Sequence, residues 1–192
     1  MFNHLKGRLA EKNPAYVVIE CGGVGYFVNI SLNTYSRLPE KEECKIYIHL
    51  QITEDAHTLY GFAEEEERKL FRALISVSGI GCNTARVMLS AMQPSELTEC
   101  IVSENASRLK AIKGIGEKTS LRVIVELKDR LKKDGAVSTR PAHFQVRDQA
   151  ASALATLGFS KPSVDKILDQ LLRSEASSFS IEDLVKEALR RL

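Results

Sequence analysis

The chain has 192 residues, of which 44% are hydrophobic and 27% charged, and its formal net charge is +2. These values are typical of a globular protein with one to three small domains. No apolar run approaches the roughly 18 residues of a membrane span, and the N-terminus lacks a basic-then-apolar signal segment. The four cysteines are scattered without C-x-x-C spacing. We therefore expect free thiols in a reducing cytoplasm, with no disulfide, metal site or other cofactor.

Residues 1–63 have the pattern of a small β-barrel. Short runs rich in Val, Ile and Tyr alternate with turn residues, which is typical of strands. The five runs are Phe2–Leu9, Tyr16–Cys21, Tyr26–Ile30, Cys44–Ile52 and His57–Phe62. Five short antiparallel strands cannot form a large sandwich, so we predict a closed OB-fold barrel of five or six strands. Because its first 62 residues hold six Lys or Arg against seven acids, we do not expect base stacking on this barrel.

Two adjacent carboxylates, Glu54 and Asp55, lie at the tip of the predicted hairpin between the last two strands. An ordinary polar turn accounts for them, because Asp is a common turn residue. The functional alternative is that a paired negative tip within a DNA-binding assembly repels phosphates and steers the strands. A metal-dependent nuclease is disfavoured, since no third carboxylate or His accompanies the pair at ligand spacing.

From residue 64 the pattern becomes helical, and residues 64–133 contain one motif twice. Gly79-Ile80-Gly81 and Gly114-Ile115-Gly116 lie 35 residues apart, each between helical runs. Two glycines around one apolar residue allow a tight turn with positive φ. The turn amides then lie uncovered at the N-terminus of the next helix, where anions bind. A single copy is more often a capping turn, but the duplication favours a tandem helix-hairpin-helix domain that binds the DNA backbone.

The helix after the second motif combines a basic surface with an apolar stripe. Residues 106–133 contain nine Lys or Arg against three acids. Phosphate binding needs such a local excess, and a solvated helix face is the alternative. Helical spacing predicts that one apolar stripe of this helix lies in the core. The stripe is Leu121, Ile124, Val125 and Leu131.

Beyond residue 133 the helical periodicity stops. Residues 134–146 are polar and interrupted by Gly135 and Pro141, which predicts a flexible linker. Residues 147–192 then give three short amphipathic helices, a minimal core of the ubiquitin-associated type. With seven basic and seven acidic residues, this bundle is better suited to docking a protein than to binding DNA. Tethering would present the partner at high effective concentration.

Taken in order, these pieces resemble the RuvA family along essentially the whole chain. The matching stretches are 22–26, 54–56, 59–62, 79–81, 114–119 and 124–130. The resemblance implies an α+β protein with an OB-fold, a tandem helix-hairpin-helix domain and a tethered three-helix domain. It also implies a non-catalytic, cytoplasmic subunit that recognises Holliday junctions, whatever their base sequence, in recombination, DNA repair and the SOS response.

Family members form homotetramers, in some cases two stacked, that hold a four-way DNA junction in an open square. The resemblance implies that the paired hairpins grip each duplex arm from the minor-groove side. It also implies that the C-terminal domain contacts the hexameric ATPase RuvB and that the complex includes the RuvC resolvase. The chain itself has no G-x-x-x-x-G-K-[ST] motif, so ATP hydrolysis must come from the partner.

The resemblance assigns roles to three groups of residues. DNA-backbone binding falls on Gly79, Gly81, Asn83, Gly114, Gly116, Lys118, Thr119 and Arg122. The acidic pin at the junction centre is Glu54 and Asp55, and the partner-docking turn is Leu157, Gly158 and Phe159. Asn83 and Glu117 stand where the family commonly has Lys, and both changes remove positive charge near a phosphate. Affinity is therefore expected to rest on the turn amides of the four glycines, with Lys118 and Arg122 in support.

Two other functions fit parts of the sequence. In some helix-hairpin-helix DNA glycosylases and lyases a catalytic Lys stands where Lys118 does, with an Asp about 18 residues later. That position is Ala136 here, and the nearby Asp134 lies in the predicted linker. A single-stranded-DNA adaptor built on the barrel is the third possibility.

Overall fold

The structure, a computed structural model, describes residues 2–40, 42–138, 142–174 and 180–191. The chain divides into two compact units, Met1–Leu131 and Lys132–Leu192. The first unit contains both the barrel and the repeated motif, and the second contains the C-terminal helices. Of the helices in the described residues, none is both long and apolar enough to cross a membrane.

A closed five-stranded barrel forms the N-terminal part of the first unit, as predicted. Its strands are β1 (His4–Asn13), β2 (Tyr16–Cys21), β3 (Val24–Ile30), β4 (Glu43–Ile52) and β5 (His57–Phe62). The order around the barrel is β1-β2-β3-β5-β4, with β3 and β5 parallel and every other pair antiparallel. Alternate side chains point inward, which explains the period-two pattern of the sequence. The interior is filled by Leu9, Val17, Ile19, Val28, Ile30, Leu38, Cys44, Ile46 and Ile48.

A short helix, α1 (Leu32–Arg37), separates β3 from β4 and was not predicted. Its N-cap is Ser31, whose hydroxyl accepts a hydrogen bond from the amide of Thr34 at 3.0 Å. Six residues are too few to show apolar periodicity, and a helix this short is unstable alone. It depends instead on the buried carboxylate of Glu67, which accepts hydrogen bonds from the hydroxyls of Ser31 and Thr34.

Five helices complete the first unit and share one core with the end of β5. They are α2 (Glu65–Ile75), α3 (Cys82–Ala91), α4 (Pro94–Val102), α5 (Ala106–Lys110) and α6 (Glu117–Ser138), of which α6 belongs to this unit up to Leu131. The ring of Phe71 on α2 lies 5.3 Å from that of Tyr60 and 4.9 Å from that of Phe62, measured between centroids. The helical core therefore continues directly from a barrel strand.

The predicted apolar stripe on α6 is wrong at two of its four positions. Ile124 is buried as expected, and Leu131 with it, but Leu121 is 50% and Val125 79% exposed. The buried face continues instead through Val123 and Leu127. These residues follow the i, i+3, i+4, i+7 spacing of a core-facing helix, whereas Leu121 and Val125 lie on its flank.

The described ends of the predicted linker are helical rather than irregular. Helix α6 continues through Ser138, and α7 begins at Ala142; residues 139–141 lie outside the described residues. Extending a formed helix adds one hydrogen bond per residue without a new nucleus. Good helix formers such as Lys132, Lys133 and Ala136 favour that extension over the break expected at Gly135.

The second unit contains the three predicted C-terminal helices. They are α7 (Ala142–Thr156), α8 (Lys161–Ser174) and α9 (Ile181–Leu189). Their shared core is small: Ala150, Leu154, Val164, Leu168, Leu171, Leu184 and Ala188. Arg147 of α7 pairs with Asp165 and Asp169 of α8, so charge as well as apolar packing joins these two helices.

Candidate nucleic-acid interface

The two Gly-Ile-Gly stretches adopt the same turn. Gly79 has φ +92° and Gly114 has φ +89°, a conformation that L side chains rarely adopt. The amide of Ile80 donates to the carbonyl of Val77, and that of Ile115 to the carbonyl of Ile112, both at 3.0 Å. The first glycine of each copy is thus required by the backbone itself.

The second glycine of each copy has no such requirement. Gly81 is the N-cap of α3 with φ −86°, and Gly116 does not have a positive φ. A Cβ atom added at either position would meet nothing within 4 Å. Packing inside the chain therefore does not call for glycine there, whereas a ligand that approaches the backbone closely would.

Each turn leads directly into a helix. The amide of Ala85 donates to the Gly81 carbonyl at 3.0 Å, and that of Ser120 to the Gly116 carbonyl at 2.9 Å. Glycine at the N-cap offers no side-chain oxygen to the first amides of α3. Ile80 and Ile115 are buried in the helical core and anchor the two turns, while the glycines on either side of them stay exposed. Bare helix N-termini in this arrangement favour anions.

Side chains around the turns take different roles from one another. Lys118 is exposed in the first turn of α6, where its charge faces solvent, and Thr119 beside it is partly buried. Arg122 reaches across to the other motif, where its Nη1 donates to the Ser78 carbonyl at 3.1 Å. The structure thus brings together the first turn and the helix that follows the second. Among the predicted set, Arg122 is the residue that joins both motifs.

The basic surplus near the second turn is partly compensated. Glu117 lies 3.6 Å from the Nζ of Lys110, and Lys128 pairs with Glu104. Such exposed pairs contribute little free energy. The carboxylate of Glu117 lies beside Lys110, so it compensates the charge of Lys110 and not that of Lys118.

The acidic tip is a tight turn between β4 and β5. The amide of Thr53 donates to the Ala56 carbonyl at 2.9 Å, which places Glu54 and Asp55 at the apex. Both side chains are exposed, and in the part of the chain that the structure describes neither pairs with a basic residue. The described residues also hold no group of three or more side chains suited to a metal ion. Nothing in this geometry favours the nuclease alternative.

The predicted docking turn lies between α7 and α8 in the second unit. Gly158 has φ +97°, and the amide of Phe159 donates to the Leu154 carbonyl at 3.2 Å, which closes the end of α7. Leu157 is 61% and Phe159 36% exposed. The turn therefore presents two large apolar side chains on either side of one glycine.

Comparison with known proteins accounts for the whole chain. Residues 1–61 match the RuvA N terminal domain, residues 71–129 the SAM-like helix-hairpin-helix tandem, and residues 145–192 the RuvA C-terminal domain. The chain is 49% identical over 195 residues to the Holliday junction branch migration complex subunit RuvA of Christiangramia forsetii, with both chains fully covered. The proteins of that name from Bacteroides thetaiotaomicron and Cytophaga hutchinsonii are 48% and 45% identical, covering 100% and 99% of each chain. The chain belongs to the RuvA family.

Within this RuvA-family chain, the internal repeat identifies a residue that sequence reasoning missed. The offset of 35 positions aligns Thr84 with Thr119 and Asn83 with Lys118. Thr84 is thus the counterpart, in the first motif, of Thr119, to which the resemblance assigned DNA binding. Aligning the two copies residue by residue would have identified it.

Asn83 also has a contact that its sequence position does not reveal. Its Oδ1 accepts from the hydroxyl of Tyr60 on β5 at 3.5 Å. Asn83 therefore links the start of α3 to the barrel.

Proposed function

We propose that this protein is the DNA-binding subunit of a branch migration complex: it binds four-way junctions without reading their sequence and has no catalytic activity of its own. The observation that carries this proposal is the duplicated turn, in which Gly81 and Gly116 leave open space beside bare helix N-termini. The relatives carry the words Holliday junction and branch migration in their names.

The two turns would bind successive stretches of the DNA backbone. Phosphate oxygens accept hydrogen bonds from the turn amides, and the helix dipoles of α3 and α6 add a favourable potential. Lys118, Thr119 and Thr84 would supply further donors from the first turns of these helices. Because none of these groups reads a base edge, binding is independent of sequence.

The acidic tip would supply the preference for junctions. At about 6 Å in water, one carboxylate repels a phosphate by about 0.7 kcal/mol. The phosphates of a continuous duplex would lie close to this charge and be repelled by it. An open junction has a central gap that can hold the tip without such close contact. Four tips around that gap, one from each copy in a homotetramer, would favour separated strands at the centre.

Replacing Glu54 and Asp55 by Gln and Asn is expected to keep or tighten binding to plain duplex. The ratio of junction affinity to duplex affinity should fall by about tenfold, since four pairs of charges are removed near the strands. A competition gel shift with a four-way junction and a duplex of equal length measures that ratio. Glu64→Gln and Glu66→Gln, exposed carboxylates at the start of α2, form the control pair. An unchanged ratio would identify the tip as an ordinary turn.

The second unit would dock the motor. We assign the contact with the hexameric ATPase RuvB to the exposed apolar turn at Leu157, Gly158 and Phe159. Support comes from its two large exposed side chains, since apolar anchors dominate the energetics of protein interfaces. Stacking of two tetramers and contact with the RuvC resolvase are part of the same proposal, with the exposed Leu121 and Val125 of α6 available for stacking.

Serine at both Leu157 and Phe159 is expected to leave junction binding unchanged and to lower the affinity for RuvB by about a hundredfold. The reason is that both apolar anchors are lost while Gly158 keeps the turn. Titration of labelled protein with RuvB measures the affinity, and Leu189→Ser, an exposed leucine of the same unit, is the control. Equal loss in the control, or none in the double variant, would place the docking surface elsewhere.

A further inference from the structure

Helix α3 starts at the first glycine turn, and its Arg86 contacts the barrel at two points. The Nη1 of Arg86 donates to the carbonyl of Ala15, in the turn between β1 and β2, and to the Oδ1 of Asn29 on β3. Both distances are 3.1 Å. These acceptors are neutral, so the contact fixes the position of the guanidinium more than it compensates its charge.

Asn29 carries the connection on to the strand that leaves the acidic tip. Its Nδ2 donates to the carbonyl of Leu59 on β5 at 3.3 Å. Strand β5 begins at His57, directly after the tip, and Leu59 is its third residue. One side-chain amide thus accepts from α3 with its oxygen and donates to β5 with its nitrogen, which leaves it a single orientation.

A second contact runs between the same two elements. The hydroxyl of Tyr60, next to Leu59 on β5, donates to Asn83 on α3 at 3.5 Å. Asn83 lies two residues after Gly81, at the end of the first turn. The first glycine turn and the base of the acidic tip are therefore connected by these two chains of polar contacts. A third contact, from the Sγ of Cys82 to the Oε1 of Gln51 on β4 at 3.4 Å, joins the same two places.

We infer that Arg86 and Asn29 are positioning residues that set the place of the acidic tip relative to the first glycine turn, and thereby the preference for junctions over duplex. The inference rests on the proposed function of the turns and the tip. A duplex engages the turns alone, whereas a junction must meet the turns and the tip together. Losing the connection should therefore weaken the discrimination and spare the affinity for duplex.

The experiment compares Arg86→Met and Asn29→Ala with the wild type. Met has nearly the length of Arg but no donors, and Asn29→Ala breaks the connection without removing any charge. Arg130→Met, an exposed basic residue of α6, is the control for lost charge. Gel-shift titrations give the dissociation constants for a four-way junction and a matched duplex, and hydrogen exchange of residues 52–59 reports the tip in the free protein.

Both variants should lower the ratio of junction to duplex affinity by about three- to tenfold, within the roughly two- to thirtyfold range for mutations that alter coupling between two sites. Amides of the tip should exchange faster in both, and Arg86→Lys, which keeps one donor group, should recover part of the ratio. Arg130→Met should weaken both DNAs equally. A wild-type ratio in folded Arg86→Met and Asn29→Ala would overturn the inference. The inference would also be overturned if Arg86→Met lowered the affinity for junction and duplex equally while Asn29→Ala left both affinities unchanged. Arg86 would then be a phosphate contact.

If Arg86→Met does not fold, Asn29→Ala and Arg86→Lys decide the question by the same ratio. The wild-type ratio tests the proposed function separately. Should the wild type itself bind duplex as tightly as junction, the proposed function fails, whatever the variants do.

Discussion

Valine at both Gly81 and Gly116 is expected to lower the affinity for a four-way junction by at least about a hundredfold, while the protein remains folded. Each turn would lose charge-assisted hydrogen bonds worth about 1.5–3 kcal/mol, because the side chain blocks the approach of a phosphate to the amides. Two turns at about tenfold each give the lower bound. Gel-shift titration with a synthetic junction measures the change.

The fold should tolerate these two substitutions. Neither position has a positive φ, and a Cβ atom at either one meets nothing within 4 Å. We expect a loss of about 1 kcal/mol at the N-cap of α3, visible as a small drop in the unfolding temperature. Ser107→Val, at an exposed position of α5, is the matched control. A folded double variant that bound the junction within about threefold of wild type would contradict binding through the turns.

Glu67→Ala is expected to destabilise the first unit by about 3–5 kcal/mol, from two buried hydroxyls left unpaired at about 1–3 kcal/mol each and from the cavity. Glu67 is only 1% exposed and accepts from the hydroxyls of Ser31 and Thr34. Without it both hydroxyls lose their acceptor, a cavity opens, and α1 loses its contact with α2. Urea unfolding at fixed protein concentration measures the loss, and Glu66→Ala, a neighbouring glutamate of α2, is the control.

The same carboxylate predicts a pH dependence. Burial raises the pKa of Glu67 above its usual 4.5, against the opposing hydrogen bonds from Ser31 and Thr34. Above pH 4.5 the folded state therefore holds this proton more tightly than the unfolded state. The contribution of Glu67 to stability is largest below pH 4.5, falls as the pH rises toward the raised pKa, and stays low above it.

Glu67→Gln isolates this contribution because Gln does not titrate. The free energy of unfolding of wild type minus that of Glu67→Gln should fall between pH 4.5 and neutral pH. The comparison is needed because His49 acts in the opposite direction: burial lowers its pKa, so its contribution rises with pH up to about its usual 6.5. A flat or rising difference would show that Glu67 is not the source.

Local patterns predicted the elements whose causes are local. Alternation of apolar residues predicted the barrel strands, and the repeated Gly-Ile-Gly predicted two turns whose φ values differ by only a few degrees, +92° and +89°. Glycine permits the positive φ of Gly79 and Gly114, which other residues rarely adopt. A resemblance carried by motifs along the chain identified the family, and the comparisons confirm it.

Features that depend on distant partners could not be predicted this way. Helix α1 exists because Glu67, 33 residues from Thr34, accepts its hydroxyl. The exposure of Val125 depends on which side of α6 faces the core. Three consecutive apolar residues, 123–125, are compatible with more than one buried face. Arg86 looked like one more basic residue, since its acceptor on Ala15 lies 71 positions away.

The central claim is that backbone amides in the paired glycine turns hold DNA by its phosphates, and the salt dependence of junction binding tests it most directly. Two turns in each of four subunits would neutralise about eight phosphates, so log K against log[salt] should have a slope of about −7 at about −0.9 per phosphate. A slope near that value for wild type, and a much shallower one for the Gly81→Val, Gly116→Val variant, is the predicted result. A wild-type slope shallower than about −3 would contradict binding led by phosphates.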